Sequence, residues 1–194
     1  MKITREKILE AAFFLMVETG YDDISIGDIQ KFLGISRGLL YFYFKNKEDL
    51  VFHACRHFFF DGYLTDIDLE NITLKDFLIH VVKVEDELLR CGEHTIDILR
   101  YNIVYSRAIL RDERFKKYSI EEFTKAMMVI RNAKLRGEIK DLSEKFVGAT
   151  LLSILGRTTY ITKTPNGDYV KKRIVEDIWN FYNLIKSDKT PNAY

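Results

Sequence analysis

The sequence predicts an all-α fold, and three observations carry that expectation. Apolar residues recur along most of the chain with the 3.6-residue period of amphipathic helices rather than the alternation of strands. Two prolines, Pro165 and Pro191, and ten glycines in 194 residues are too few turn formers for a sandwich or barrel of many short strands. Hydrophobic residues at 47% and charged residues at 30% support a sizeable core and exclude a disordered chain. This length suits one domain, or a small module joined to a larger one.

The first helix is expected over Thr4 to Thr19, where Ile8, Ala12 and Leu15 share a face widened by Leu9, Phe13 and Met16, and Gly20 ends it. Ser25 is an N-cap with the acid Asp28 three residues on, Ile26, Ile29 and Leu33 line the second helix, and Gly34 stops it. Ser36 caps a third short helix carrying Leu39, Leu40, Phe42 and Tyr43. After Lys45-Asn46-Lys47, Asn46 caps a fourth helix with Glu48 and Asp49 in its first turn, running to about Gly62. Longer helices are expected over Leu74 to Leu89, Thr95 to Arg111, Ile120 to Arg136, Ser143 to Thr162 and Tyr169 to Ser187, with a loop at Lys163 to Asp168. The seam falls near residue 47, dividing the chain into 1–47 and 48–194.

The net charge of +1 creates no global field for a polyanion, so any such site must be local. Cys55 and Cys91 are too few for a disulfide framework and suit a reducing cytoplasm. The basic start is followed by an apolar stretch broken by Glu10 and Glu18, unlike a signal peptide, and Phe146 to Gly156 is too short to span a bilayer. No membrane association is expected.

Ser25 to Phe44 has the two short helices and glycine turn of a helix-turn-helix, whose second helix enters the major groove of DNA. Residues 1–50 hold seven bases and eight acids, yet between Ile29 and Lys47 stand Lys31, Arg37, Lys45 and Lys47 with no acid. A solvated surface is the ordinary meaning of such a run. Tyr41 and Tyr43 point about 200° apart on a helix, so at least one faces outward, where it can meet phosphate, sugar or a thymine methyl. The rings would otherwise cement this helix to the first.

The stretch Ile35-Ser36-Arg37-Gly38-Leu39-Leu40-Tyr41-Phe42-Tyr43-Phe44-Lys45-Asn46-Lys47-Glu48-Asp49-Leu50 closely resembles the recognition-helix signature of TetR/AcrR regulators. The resemblance extends back through Gly34, Ile29 and Asp28 to Tyr21, Gly20, Ala12 and Ile8. It implies a homodimeric repressor with an N-terminal three-helix DNA-binding module and a larger helical domain that binds a small inducer and dimerises. By motif position, Ser36, Arg37, Gly38, Leu39, Tyr41, Tyr43 and Lys45 belong to the DNA-facing set. Ser25 and Gly27 at the start of the second helix, and Lys47 at the start of the fourth, would hold phosphates. Gln30 and Leu39 depart from the usual pattern. Leu39 can meet a thymine methyl but cannot hydrogen-bond a base, which leaves Arg37 as the candidate for direct readout.

His53 and His57 have a spacing that could share a metal, but Ala54 stands where a metalloprotease needs Glu and no third ligand is evident, so no metal site is expected. No phosphate loop, nucleophile elbow or Cys-x-x-Cys pair supports catalysis, and no cofactor is expected. Candidate inducer-pocket residues are His80, Val84, Ile98, Tyr101, Asn102, Tyr105, Phe123 and Met127, although core packing accounts for them equally well. Two stripes are candidates for a four-helix dimer interface: Gly148, Leu152, Leu155, Gly156 and Thr159 on one helix, and Ile174, Ile178, Phe181 and Ile185 on the next. One chain's own core could absorb the same faces. The expected partners are thus an operator in double-stranded DNA, a small inducer of unknown identity and a second copy of the chain. The alternative is a helical small-molecule-binding or scaffold protein without specific DNA binding.

Overall fold

The structure is a computed structural model describing residues 3–61, 67–88, 90–156 and 167–188, with the side chains of 84–88, 156 and 167–171 outside the description. Among the described residues the fold is all-α apart from one short hairpin and an isolated antiparallel bridge between Ile139 and Lys186. The elements are α1 (Arg5–Thr19), α2 (Ile26–Leu33), α3 (Arg37–Tyr43), α4 (Lys47–Phe59), α5 (Leu74–Leu88), β1 (Arg90–Cys91), β2 (His94–Thr95), α6 (Ile98–Arg111), α7 (Glu113–Leu135), α8 (Glu144–Gly156) and α9 (Gly167–Ile185).

Side-chain caps set the first four helices. Thr4, Ser25, Ser36 and Asn46 each accept the N–H of the residue three positions on. Gly34 ends α2 in the left-handed conformation, φ 64° and ψ 35°, which a glycine adopts without steric cost. Two later boundaries differ from the periodicity. Asp97 fixes the start of α6 at Ile98 by accepting the Leu99 and Arg100 N–H groups, both at 3.0 Å, and Thr95 instead pairs with Arg90 in the antiparallel hairpin. Helix α7 starts earlier than its apolar spacing indicates, at Glu113, where the Asp112 carboxylate accepts the Arg114 N–H at 2.9 Å and Phe115 is fully buried.

The chain forms two compact units, one of Met1–Thr65 with Asp86–Tyr118 and the other of Asp66–Glu85 with Ser119–Tyr194. In the first, α1 packs on α4 and both meet α6. Phe13 is wholly buried, stacked on Phe58 at 4.2 Å with Phe59 edge-on at 5.2 Å and Tyr101 at 5.9 Å. Burying such a side chain contributes about 1.5–3 kcal/mol. Ion pairs join α6 to the end of α1 and the turn after it: Arg100 to Glu18 at 2.6 Å, and Arg107 and Arg111 to Asp22 at 2.5 and 3.2 Å. The hairpin lies on α1, with the Cys91 thiol donating to the Glu10 carbonyl at 3.0 Å and His94 stacked on Phe14 at 4.2 Å. Burial pushes the Cys91 thiol up to about 12 and raises Cys55 as well, so neither is a ready nucleophile.

In the second unit, Leu74, Phe77, Leu78, Val129, Ile130, Ala133, Val147, Leu151, Ile174, Ile178 and Ile185 are buried. Glu138 ties its parts together: its carboxylate accepts the Leu74 and Lys75 N–H groups at 2.9 and 3.1 Å, capping α5 from outside, and also the Tyr182 hydroxyl at 3.3 Å. Arg136 reaches the Ile72 carbonyl at 2.7 Å. Arg136 is therefore a structural brace.

Candidate nucleic-acid interface

The α2–turn–α3 segment is rigid for local reasons. The Ser25 hydroxyl donates to Asp28 Oδ2 at 2.5 Å and accepts the Asp28 N–H at 3.2 Å, while the Ser25 N–H reaches the same carboxylate at 3.1 Å. These bonds, the Ser25 hydroxyl foremost, hold the Asp28 carboxyl below its usual range. Past the Gly34 turn, the Ile35 N–H returns to the Gln30 carbonyl at 3.1 Å. Ser36 then caps α3 through the Leu39 N–H at 3.2 Å. Ile29, Leu40 and Phe44 anchor the segment in the core.

That anchoring decides which side chains of α3 face outward. Arg37, Gly38, Tyr41 and Phe42 are exposed, Leu39 and Tyr43 are half-buried, and Leu40 is fully buried. Tyr41 is thus the outward member of the tyrosine pair, while Tyr43 packs against the core. The Arg37 guanidinium lies 5.4 Å from the Tyr41 ring centroid and donates to its hydroxyl at 3.3 Å. Each braces the other one turn apart.

Gly38 is exposed, and a Cβ there would meet only the Ser36 Oγ, at 4.0 Å. Nothing inside the fold demands a glycine at that position. Gly27 at the start of α2 is similarly open, with only the Ser25 Oγ at 3.6 Å from an added Cβ.

The start of α4 completes this surface. Asn46 caps it by accepting the Asp49 N–H at 2.8 Å, and Asp49 accepts the Lys45 N–H at 2.9 Å. Lys45 is exposed, and half-buried Lys47 places its ammonium 3.5 Å from the Asp22 carbonyl. Ser25, Gly27, Ser36, Arg37, Gly38, Leu39, Tyr41, Tyr43, Lys45 and Lys47 all fall within α2, α3, their flanking caps and turns, and the first residue of α4. Phe42, which the sequence places in the apolar set of its helix, is 79% exposed.

The other candidates fall in both units. Ile98, Tyr101, Asn102 and Tyr105 lie on α6 in the first unit, with the Tyr101 hydroxyl donating to the Phe58 carbonyl at 3.3 Å. His80, Phe123 and Met127 belong to the second unit, and the Val84 side chain lies outside the described residues. Glu122, which sequence patterns do not single out, bonds Lys125 through Oε1 at 2.7 Å and has its Oε2 buried with no hydrogen-bond partner among the described residues.

Of the stripe residues, Gly148 is closely packed on Met127, whose Sδ would lie 2.5 Å from an added Cβ. Ile174, Ile178, Phe181 and Ile185 are buried within their own chain, Leu155 is half-buried and Leu152 is 51% exposed. Thr159 and the surroundings of Gly156 lie outside the described residues. His53 pairs with Asp49 at 3.5 Å and His57 is exposed; among the described residues no group of three potential metal ligands occurs. No described helix is long and apolar enough to cross a membrane.

Residues 8–54 match the family described as bacterial regulatory proteins, tetR family. HTH-type transcriptional regulators of Staphylococcus aureus, among them those of strains USA300 and NCTC 8325, are 33% identical over 110 residues. That match takes in 52% of this chain and spans 59% of the relatives' length. Solved structures share the fold. A protein from Saccharomonospora viridis, described as a transcriptional regulator and solved in complex with choline, superposes with TM-score 0.65 at 20% identity, covering 94% of this chain and 97% of that one. TylP, a TetR regulator from Streptomyces fradiae, gives 0.61 at 18% identity over 95% and 87%. The N-terminal helix-turn-helix of this chain, within residues 8–54, is thus similar to that of the tetR family of bacterial regulatory proteins.

Proposed function

We propose that the chain is a homodimeric, ligand-responsive transcriptional regulator, a repressor released from a palindromic operator by a small, largely apolar inducer. The observation that carries the DNA-binding part is α3, which is anchored by Leu40, outward-facing along Arg37, Gly38 and Tyr41, and glycine at a position where the fold itself has room for a side chain. Arg37 is the direct reader, suited to bidentate contact with guanine, and Tyr41 lends it a fixed orientation. Ser25, Gly27 and Lys47 hold phosphates and set the register, which positions the module without reading sequence.

In this reading residues 1–47 bind DNA and 48–194 bind ligand and dimerise. Two recognition helices meet half-sites about 34–36 Å, or a multiple, apart. The inducer binds the non-operator state better, and a coupling of about 1–3 kcal/mol changes operator affinity roughly 5- to 150-fold. For dimerisation, the buried α9 stripe leaves little further area to cover, so Leu152 is the candidate with exposed surface to contribute. We assign the chain no catalytic role. Selection from random duplexes at physiological salt tests the reading: a palindromic motif is expected, and absence of enrichment from an intact dimer, with and without candidate ligands, refutes it.

A further inference from the structure

We propose that Phe42 reads thymine, its ring packing on the 5-methyl groups that line the major groove; this deepens the DNA-binding reading above and rests on it. Phe42 is 79% exposed on α3, whereas its neighbour Tyr43 is half-buried and Phe44 is in the core. The exposed ring is braced, because it meets the Tyr43 ring edge-on at 5.1 Å with an interplanar angle of 85°. Four residues earlier, on the same face of the helix, stands Gly38, where an added Cβ would find only the Ser36 Oγ at 4.0 Å. An apolar ring therefore borders an open stretch of backbone that another molecule can approach closely.

The charges around it say what that molecule is. Arg37 and Lys45 are exposed on either side of Phe42 in the chain, and no acid occurs between Ile29 and Lys47. The fitting occupant is anionic at its rim and apolar at recessed points, which describes a major groove, with phosphates along its edges and thymine methyls inside. An apolar protein surface would leave the flanking bases uncompensated. Leu39, the other apolar candidate for the same methyls, is half-buried and presents less of itself.

The test uses the full chain and the duplex it selects. Each thymine is replaced in turn by deoxyuridine, which removes only the methyl, and wild-type, Phe42→Ala and Leu39→Ala proteins are titrated at fixed salt. Burying one methyl corresponds to about 4-fold in affinity. Wild type is expected to lose about 4-fold at one or two thymines in each half-site, and Phe42→Ala to bind the thymine duplex correspondingly more weakly while ignoring uridine at those positions.

Uridine insensitivity of wild type at every thymine overturns the proposal and requires no variant to fold. Equal uridine losses in wild type and Phe42→Ala overturn it too, with a loss of coupling in Leu39→Ala naming the true reader. If no duplex is selected, the DNA-binding reading itself fails and takes this inference with it. A selected duplex with additive effects removes only the inference.

Discussion

Replacing Gly38 with alanine is expected to strengthen the fold and weaken DNA binding. Gly38 is the second residue of α3, it is exposed, and it is not among the glycines with positive φ. The new methyl would sit 4.0 Å from the Ser36 Oγ, an ordinary van der Waals contact. Glycine inside a helix costs about 0.5–1 kcal/mol relative to alanine, and less is recovered in a first turn. A gain of about 0.5 kcal/mol, or roughly 1–2 °C in Tm, follows for a chain of this length. On DNA the same methyl occupies the space through which the backbone approaches the groove. An overpacking cost of about 1–3 kcal/mol would lower affinity roughly 5- to 150-fold. Thermal denaturation and fluorescence anisotropy with the selected duplex measure both. Unchanged affinity would show that nothing approaches Gly38, and a lower Tm would show that the fold itself required the glycine.

Arg37→Ala should relax base preference by about 1–3 kcal/mol, while Lys47→Ala weakens all sequences alike and reduces the salt slope by about 1; equal losses on specific and random DNA for Arg37→Ala would undo its assignment. Ser25→Ala removes the capping-box hydroxyl and should cost about 1 kcal/mol in denaturant unfolding. Gly148→Ala reverses the Gly38 result, because its Cβ would lie 2.5 Å from the Met127 Sδ and the thioether must move, so Tm should fall. Burial is the main cause lowering the His53 pKa below its ordinary 6.5, so the folded state binds fewer protons than the unfolded one. Its contribution to stability is full above pH 6.5 and is lost as pH falls through the depressed value; the drop in Tm between pH 7 and 5 should shrink in His53→Gln.

The N-terminal module is legible in the sequence because its signals are local. Ser25, Ser36 and Asn46 cap the helices expected of them, and Gly20 and Gly34 end α1 and α2. The β1–β2 hairpin is not, since strands of two residues have no period; its one local sign is Gly92, whose φ of 59° makes the turn. Asp97 and Asp112 carry the local signals for the starts of α6 and α7, and there the cap, not the apolar spacing, sets the boundary. The α9 stripe marks a different limit. Periodicity shows that Ile174, Ile178 and Phe181 face something apolar, but the identity of the covering surface is a tertiary property, and here the chain's own unit covers them. The same holds for the Glu138 brace, which caps α5 across a sequence distance that no local pattern encodes.

Charge placement explains how residues 1–50, with seven bases and eight acids, can present a basic face. Four acids of this stretch are engaged within the first unit. Glu18 pairs with Arg100, and Asp22 pairs with Arg107 and Arg111, all three arginines on α6. Asp28 is held in the α2 capping box, and Asp49 accepts the Lys45 N–H. Lys31, Arg37 and Lys45, in contrast, are exposed with no acid between Ile29 and Lys47. The field above α3 is therefore set by position rather than by net charge, and the neutralising arginines come from a helix outside the helix-turn-helix. Any rearrangement of α6 that withdrew Arg107 and Arg111 from Asp22 would leave that carboxylate unpaired near Lys47, whose ammonium lies 3.5 Å from the Asp22 carbonyl. An uncompensated negative charge beside Lys47, the lysine proposed to hold a phosphate, would oppose a polyanion. The proposed DNA binding would thus weaken on motion of α6 through charge alone, without displacement of α3.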